Sequence, residues 1–448
     1  MKQENKINNS LIQNAAKMVS SNILMYLLPF IVTPILSRIY NPSMFGEWGV
    51  FSSTFQIINV VLFLCYDYTI VKVSNKEYPQ ACALSIIVST IIILLVTLLF
   101  LIGYFLGIQF VEDFPSKTFF LIILVISAIT VILQNIANRE KRYWVLSISG
   151  IVLGIAQAVC RICFGFFVVF SNGLIAGTTF AQLCCVLFLL FFIGNDIKKD
   201  IFSQCSYKRI IEVAVKYRKF PLYDAPATLL TFATFNLSLI ILSTFFSKAE
   251  IGCLSIIHQM LLLPISLVGG ALGKVYYQQI SDVTRNENSD IIDISKKMIK
   301  IVLYISILPS FFLVVGGDKL ICVFLGSKWD NAGAISICMA IWSIPNILTQ
   351  PLLPVYRHYN RQNMMLYYNI LNFVLAVGSL IITCNLGLNI YISLLIYSWF
   401  SALSNFLMFF SIVRLTKVRL REIVNPLMLC IHLLTITLLL YRSYYFCK

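Results

Sequence analysis

Four side chains that can carry charge interrupt long apolar stretches of this sequence: Asp67, Arg161, Asp224 and His258. A charge near mid-bilayer costs about 2.5–3.5 kcal/mol even on the lenient insertion scale, so such groups are expected to face a wet interior rather than lipid. Arg161 and His258 offer cations for a phosphate-like anion, whereas Asp67 and Asp224 suit gating or the binding of a small cation. Neutral hydrogen-bonding groups recur around them at helical spacing. Ser52, Gln56, Asn59, Phe63 and Tyr66 share one helical face, with Asp67 beside its inner end. Asp224, Thr228, Thr231, Phe235 and Ser238 share another. Further faces are formed by Ser127, Thr130, Gln134 and Asn138, by Gly154, Gln157 and Arg161, and by Ser255 and Gln259 with His258 adjacent. Each amide of Gln56, Asn59, Gln134, Gln157 and Gln259 presents donors and an acceptor together, the pairing that a hydroxyl-rich ligand needs. For any single Ser, Thr or Asn, the competing role is a hydrogen bond that joins two helices.

Other chemistries fit less well. Cys160 and Cys163 have CxxC spacing, but they lie inside an apolar run with no second pair, and most of the 13 cysteines read as small hydrophobes. Gly269 to Lys274 resembles a phosphate loop, yet its first glycine is one position off and Val275 replaces the hydroxyl that would hold magnesium. Close helix packing is the better reading there. His358 and His432 sit far from His258, so no metal-ligand cluster is visible and no metal is expected. No external loop exceeds about 15 residues, which counts against catalysis on a large soluble face.

The elements that position these groups follow from composition. Hydrophobic residues make up 59% of the 448 and charged residues only 12%, against roughly 25% charged in a soluble domain; the mean hydropathy is +0.86. The expected fold is an all-α polytopic membrane protein. Runs long enough to span fall at about 14–37, 44–70, 81–108, 117–137, 145–170, 173–194, 220–246, 250–278, 297–316, 332–356, 364–386 and 389–413, twelve in all. A thirteenth run, Leu427 to Phe446, carries His432 and Arg442 and either spans or lies at the interface. The first run is too long for a signal peptide and lacks a cleavage pattern, so it is expected to remain. With the N-terminus inside, 26 of the 34 Lys and Arg fall in cytoplasmic segments and 5 outside. That asymmetry accounts for the formal net charge of +15 without nucleic acid, which is not an expected partner. Prolines at 221, 226, 264, 309, 345, 351 and 354 permit bends within or beside the runs.

The chain also echoes itself. ILSRIYNPSMFG, from Ile35 to Gly46, aligns without a gap on ILSTFFSKAEIG, from Ile241 to Gly252, an offset of 206 residues. Both copies lie between a first and a second apolar run, as two related halves would place them.

Several local patterns together resemble the polysaccharide biosynthesis protein family: Tyr66-Asp67 with Ile70-Val71, Gln134 with Asn138-Arg139 and Lys141-Arg142-Tyr143, Phe220-Pro221-Leu222-Tyr223 with Pro226, Gly252, Leu263-Pro264 with Gly269, Tyr276-Tyr277-Gln278, and Gly326 with Trp329 and Gly333. Members are similar to lipopolysaccharide O-antigen repeat-unit flippases of the multidrug/oligosaccharidyl-lipid/polysaccharide exporter superfamily. The resemblance implies two pseudo-symmetric six-helix bundles, here 1–194 and 220–413, joined by a basic cytoplasmic linker at 195–219 and followed by a basic segment and hydrophobic tail at 414–448. It implies a non-enzymatic carrier in a bacterial inner membrane. The substrate would be a few sugars on undecaprenyl pyrophosphate, moved from the cytoplasmic to the periplasmic leaflet. Expected partners are that lipid-linked glycan, membrane lipids, and a polysaccharide polymerase and chain-length regulator. No cofactor is expected, and energy would come from the membrane potential or from a proton or sodium gradient. Two alternatives stay open: a multidrug or cation antiporter of the same superfamily, and a membrane glycosyltransferase or polymerase. The topology is directly testable. Cysteine labels placed in 195–219 should react with a membrane-impermeant reagent only from the cytoplasmic side; labelling from the periplasm overturns the assignment.

Overall fold

The computed structural model describes residues 28, 30–200, 206–286, 291–312, 316, 318–359, 361–419 and 421, with 434, 435, 437–439, 441 and 442 in the tail. Residues 14–27 and 29 of the first expected run and most of the Leu427–Phe446 run lie outside them. Among the described residues the chain is helical throughout, without strands. Alternation at the strand period is missing from the apolar runs, and hydrocarbon forces each segment to satisfy its own backbone, so helices are the only open solution.

Twelve segments answer the twelve expected runs: α1 (Phe30–Ile39 of the first), α2 (Pro42–Val61), α4 (Tyr78–Phe105), α6 (Lys117–Arg139), α7 (Tyr143–Phe167), α8 (Gly173–Asp200), α10 (Ala225–Ser243), α11 (Lys248–Asn286), α12 (Ile291–Phe312), α14 (Asp330–Thr349), α16 (Gln362–Asn385) and α17 (Ile390–Leu415). Short helices lie between them: α3 (Asp67–Lys72), α5 (Gln109–Glu112), α9 (Tyr207–Lys216), α13 (Asp318–Leu325) and α15 (Pro354–His358). Eight helices among the described residues are individually long and apolar enough to cross a membrane. The protein is therefore a polytopic, all-α membrane protein.

The chain divides into two compact units: Met1–Tyr40 with Val50–Phe232, and Asn41–Gly49 with Ala233–Lys448. The expected linker at 195–219 thus belongs to the first unit, where α9 packs on α4. In this unit α7 and α8 run in close contact, and a core of Ile70, Leu133, Ile136, Val145, Leu189 and Ile193 fills one end. Phe51, Phe114 and Phe120 stack edge-on near the other.

The second unit is built around α14, which is apolar or small on every face and buried along nearly its whole length. Its neighbours are tied by single polar links. Ser401 and Ser404 of α17 donate to Asn372 Oδ1 of α16 at 2.9 and 2.7 Å. Tyr276 of α11 shares a hydrogen bond of 2.8 Å with Ser295 of α12, and Tyr397 of α17 donates to the Thr234 carbonyl of α10 at 3.4 Å. The prolines act locally. Pro351 opens a 3₁₀ turn at Gln350–Leu352 and Pro354 begins α15, while Pro345 is accommodated inside α14.

The internal echo has a structural counterpart inside the second unit. The starts of α2 and α11 cross so closely that a Cβ on Gly46 would strike the Lys248 carbonyl oxygen, and a Cβ on Gly252 would strike that of Pro42. Residues 42 and 248, and 46 and 252, are each 206 apart, so the two contacts are copies of one another, as in an isologous interface. The next pair continues the relation: a Cβ on Gly49 would lie 2.7 Å from Ser255 Cβ. Ser255 Oγ donates to the Phe45 carbonyl at 3.1 Å. Small residues are what allow such an approach in a membrane. Gly46→Ala and Gly252→Ala should each lower stability by about 1–3 kcal/mol. Because both relieve the same crossing, the double variant should lose clearly less than the sum. Thermal unfolding of the detergent-solubilised chain measures this, and strict additivity would show the two glycines to be independent.

Candidate functional site

The expected continuous helix from 44 to 70 is broken. α2 ends at Val61 and α3 begins at Asp67, with Leu64 and Cys65 at φ 48° and 61°. Left-handed backbone at non-glycine residues costs of order 1–3 kcal/mol each and persists only where the surroundings hold it. The stripe expected from Ser52 to Tyr66 is therefore cut: Ser52, Gln56 and Asn59 stay on α2, and Phe63 and Tyr66 lie in the break. Local bonds of the i→i+3 kind replace the helical ladder, from Leu64 to Val61 and from Tyr66 to Phe63.

Side chains from three elements fix this break. Tyr66 Oη donates to the Ala214 carbonyl of α9 at 3.1 Å. From α6, Asn135 Nδ2 donates to Asp67 Oδ2 at 3.3 Å. One turn on, Arg139 Nη1 donates to the Ile70 and Val73 carbonyls at 2.7 and 2.8 Å, and its Nη2 to Asn75 Oδ1 at 2.8 Å. Arg139 thus caps the C-terminal end of α3, where the helix dipole favours a cation, and its guanidinium lies over the Tyr78 ring. Asp67, at the first position of α3, sits at the favourable end for an anion.

Asp67 and Asp224 lie near the same two side chains in the first unit. Both act electrostatically on Cys65 and Tyr68, and the Thr228 hydroxyl reaches the Cys65 thiol. Asp224 is exposed and closes a widened, i→i+5 turn at Phe220–Asp224 that leads into α10; such turns are frequent at functional sites. Tyr68 packs its ring on Phe220, and the Lys72 ammonium lies over the same ring. Outside the membrane, Glu77 forms an ion pair with Lys216 of α9. The hydrogen bond from that ammonium holds the Glu77 carboxyl below its usual range.

Arg161 lies inside the first unit, 6% exposed, rather than on an open wall. Its Nη2 donates to Thr178 Oγ1 of α8 at 2.9 Å, its own carbonyl accepts from Tyr40 Oη at 2.6 Å, and Gly177 lies against its stem. Gln157, one turn earlier on α7, is half-buried. Gln56 on α2 is exposed, whereas Asn59 accepts from Ser127 Oγ at 2.6 Å and so joins α2 to α6. Gln134 is half-buried on α6. His258 and Gln259 belong to the second unit. The His258 ring stacks on Phe235 beside Trp342, and its Nε2 is buried without a hydrogen-bond partner among the described residues. Thr130, Thr228, Thr231 and Ser238 turn back onto their own helix carbonyls. Cys160 and Cys163 are free thiols on α7.

Sequence reasoning missed Asn135, which sits one position off the expected α6 stripe, and the capping role of Arg139, which was counted only as a loop charge. Tyr40, Thr178 and Trp342 carried no signal, because their partners are distant in the chain. Arg139→Ala should destabilise the protein by about 2–4 kcal/mol, since it strands carbonyls that a charged donor now satisfies. Arg139→Lys should recover less than half of that loss, because a single ammonium cannot bridge three acceptors. The thermal midpoint of the purified protein reads both, and an unchanged midpoint in the Ala variant would show the cap to be idle.

Comparison with known proteins gives this arrangement a family. The chain's fold is similar to that of the lipid II flippase MurJ in an inward closed conformation (TM-score 0.70, 14% identity, covering 97% of this chain and 98% of that one). It is also similar to an inward-facing multidrug resistance MATE transporter of the MOP superfamily (TM-score 0.67, 14% identity, 88% and 96% covered) and to the eukaryotic MATE transporter AtDTX14 (TM-score 0.58, 16% identity, 90% and 96% covered). No curated protein matches the chain in sequence. The family model described as "Polysaccharide biosynthesis protein" matches residues 35–334, about two thirds of the chain and the stretch holding the broken helix, the acidic pair and the glycine crossing. The chain belongs to the polysaccharide biosynthesis protein family.

Proposed function

We propose that this protein is a flippase for a short oligosaccharide on undecaprenyl pyrophosphate, carrying it from the cytoplasmic to the periplasmic leaflet of a bacterial inner membrane with its own N-terminus in the cytoplasm. The observation that carries the reading is the family match joined to a fold shared along the whole chain with a lipid II flippase. The amides of Gln56, Gln134, Gln157 and Gln259 would meet sugar hydroxyls, and Asn59 would do so if it leaves Ser127. Arg161 would meet the pyrophosphate only after the α7–α8 contact opens, and His258 only by leaving its aromatic stack. In this reading the protein moves a molecule and makes or breaks no covalent bond.

A second reading has its own support. Asp67 and Asp224 both lie near Tyr68, beside a strained break, an arrangement that can bind a proton or sodium ion. The energetic distinction is clear. A pyrophosphodiester carries about two negative charges, and each is worth about 2.3 kcal/mol per 100 mV, so an inside-negative potential favours expulsion by roughly 4–5 kcal/mol per 100 mV. Transport of the lipid-linked oligosaccharide in sealed vesicles should therefore accelerate under a valinomycin-imposed inside-negative potential, at equal pH and sodium on both sides. Full rate with the potential collapsed, together with loss of transport when a proton or sodium gradient is removed, would overturn potential-driven flipping in favour of obligatory antiport.

A further inference from the structure

The helix α9 carries two apolar stripes, and the described residues cover only one of them. Ile210, Val213, Ala214 and Tyr217 pack against Leu64, Tyr66, Leu84 and Val88. Tyr207, Ile211 and Val215, at successive steps of four, form a second stripe that is 77%, 44% and 57% exposed. Lys208, Arg209, Arg218 and Lys219 flank it, with Glu212 the one acid within 207–219, and all of them are exposed; Lys216 is engaged by Glu77.

The covered stripe places α9 beside the first turns of α4. From there Ile87, Ile91, Leu94 and Leu98 run up α4 as an exposed apolar row on a helix long enough to span. A row of that kind faces hydrocarbon, so α9 extends the lipid-facing surface to the level of the headgroups. A helix with a strong polar face, basic flanks and an apolar edge is the pattern that lies in the interface, where Lys and Arg draw it towards anionic lipid. We infer that α9 is a lipid-docking surface, with Tyr207, Ile211 and Val215 bedded in the leaflet at that end of the molecule and its basic residues gripping anionic phospholipid headgroups. Its position is fixed relative to the protein by the Lys216–Glu77 ion pair and by the hydrogen bond from Tyr66 to Ala214, so the docked helix adjoins the break between α2 and α3.

The test uses the full chain in nanodiscs, with the photo-crosslinking residue p-benzoylphenylalanine at position 211 or, as control on the same exposed helix, at 212. In phosphatidylethanolamine with phosphatidylglycerol, illumination at 211 should give phospholipid adducts several-fold above 212. Adducts should be enriched in phosphatidylglycerol and fall several-fold in Lys208→Gln/Arg209→Gln or in phosphatidylcholine alone. Both faces of a nanodisc present the same lipids, so the result stands or falls apart from the orientation proposed above. Equal yields at 211 and 212, capture of a second copy of the chain, or yields indifferent to phosphatidylglycerol and to the two substitutions would each overturn the proposal.

Discussion

Two carbonyl oxygens, those of Pro42 and Lys248, face two glycines, and the close approach of α2 to α11 rests on that fit. In lipid there is no hydrophobic gain from bringing two helices together, because the tails are as apolar as leucine. Association there depends on close van der Waals contact and on polar groups that find partners. A side chain at either glycine would part the helices and loosen the Ser255 to Phe45 hydrogen bond along with them. The edge-on packing of Phe45 against Trp329 would shift too. The symmetry of the contact also explains the faint internal repeat. Glycine at 46 and at 252 is demanded twice by one geometry, whereas the neighbouring positions were free to diverge.

The same scarcity of partners governs the break between α2 and α3. Interrupting a helix frees backbone groups that water would satisfy in solution and that hydrocarbon cannot. Here the Val61 and Phe63 carbonyls accept from Leu64 and Tyr66 in local turns, the break is pinned to α9 through Tyr66, the new helix start receives Asp67 as its anion, and Arg139 meets the carbonyls at the far end of α3. Strain at Leu64 and Cys65 is stored close to Asp67, with Asp224 near the same cysteine. A segment held by a few identifiable side chains can change arrangement when one of them is recruited elsewhere, and protonation or cation binding at Asp67 would compete directly with its bond to Asn135.

Most of the fold was legible because apolar length is a property of local sequence. Eleven of the twelve expected runs overlap a long helix and the first overlaps Phe30–Ile39, and the Phe220–Gln278 patterns fall within the matched family region. The break at 62–66 was not legible: Phe63-Leu64-Cys65-Tyr66 has no glycine or proline, and the groups that hold it, Ala214 for Tyr66 and Asn135 for Asp67, are distant in the chain. Single-charge reasoning also went only part of the way. Arg161 is a genuine intramembrane charge, but sequence spacing could not show that Thr178 and Tyr40 would enclose it. The acidic pair was visible as two separate residues, and only the three-dimensional path of the chain brings both near Tyr68.

The charges in the first unit are sorted by depth and exposure, and that order bears on how an anionic lipid could move past them. Arg161 is a cation sealed among helices, with its fork already engaged by a hydroxyl. A sealed cation lowers the electrostatic cost for an anion nearby without trapping it, since field acts through the low-dielectric wall while direct contact would hold the substrate. Asp67 and Asp224, by contrast, would repel the same anion if both were ionised. In the proposed function an anion would pass most easily when Asp67 and Asp224 are neutralised by a proton or a metal cation, and a cation would be held best there when the anion is absent. Mutual exclusion of this kind links the two readings of the protein: the same pair that obstructs a pyrophosphate could set the order in which cargo and counter-ion use a common path.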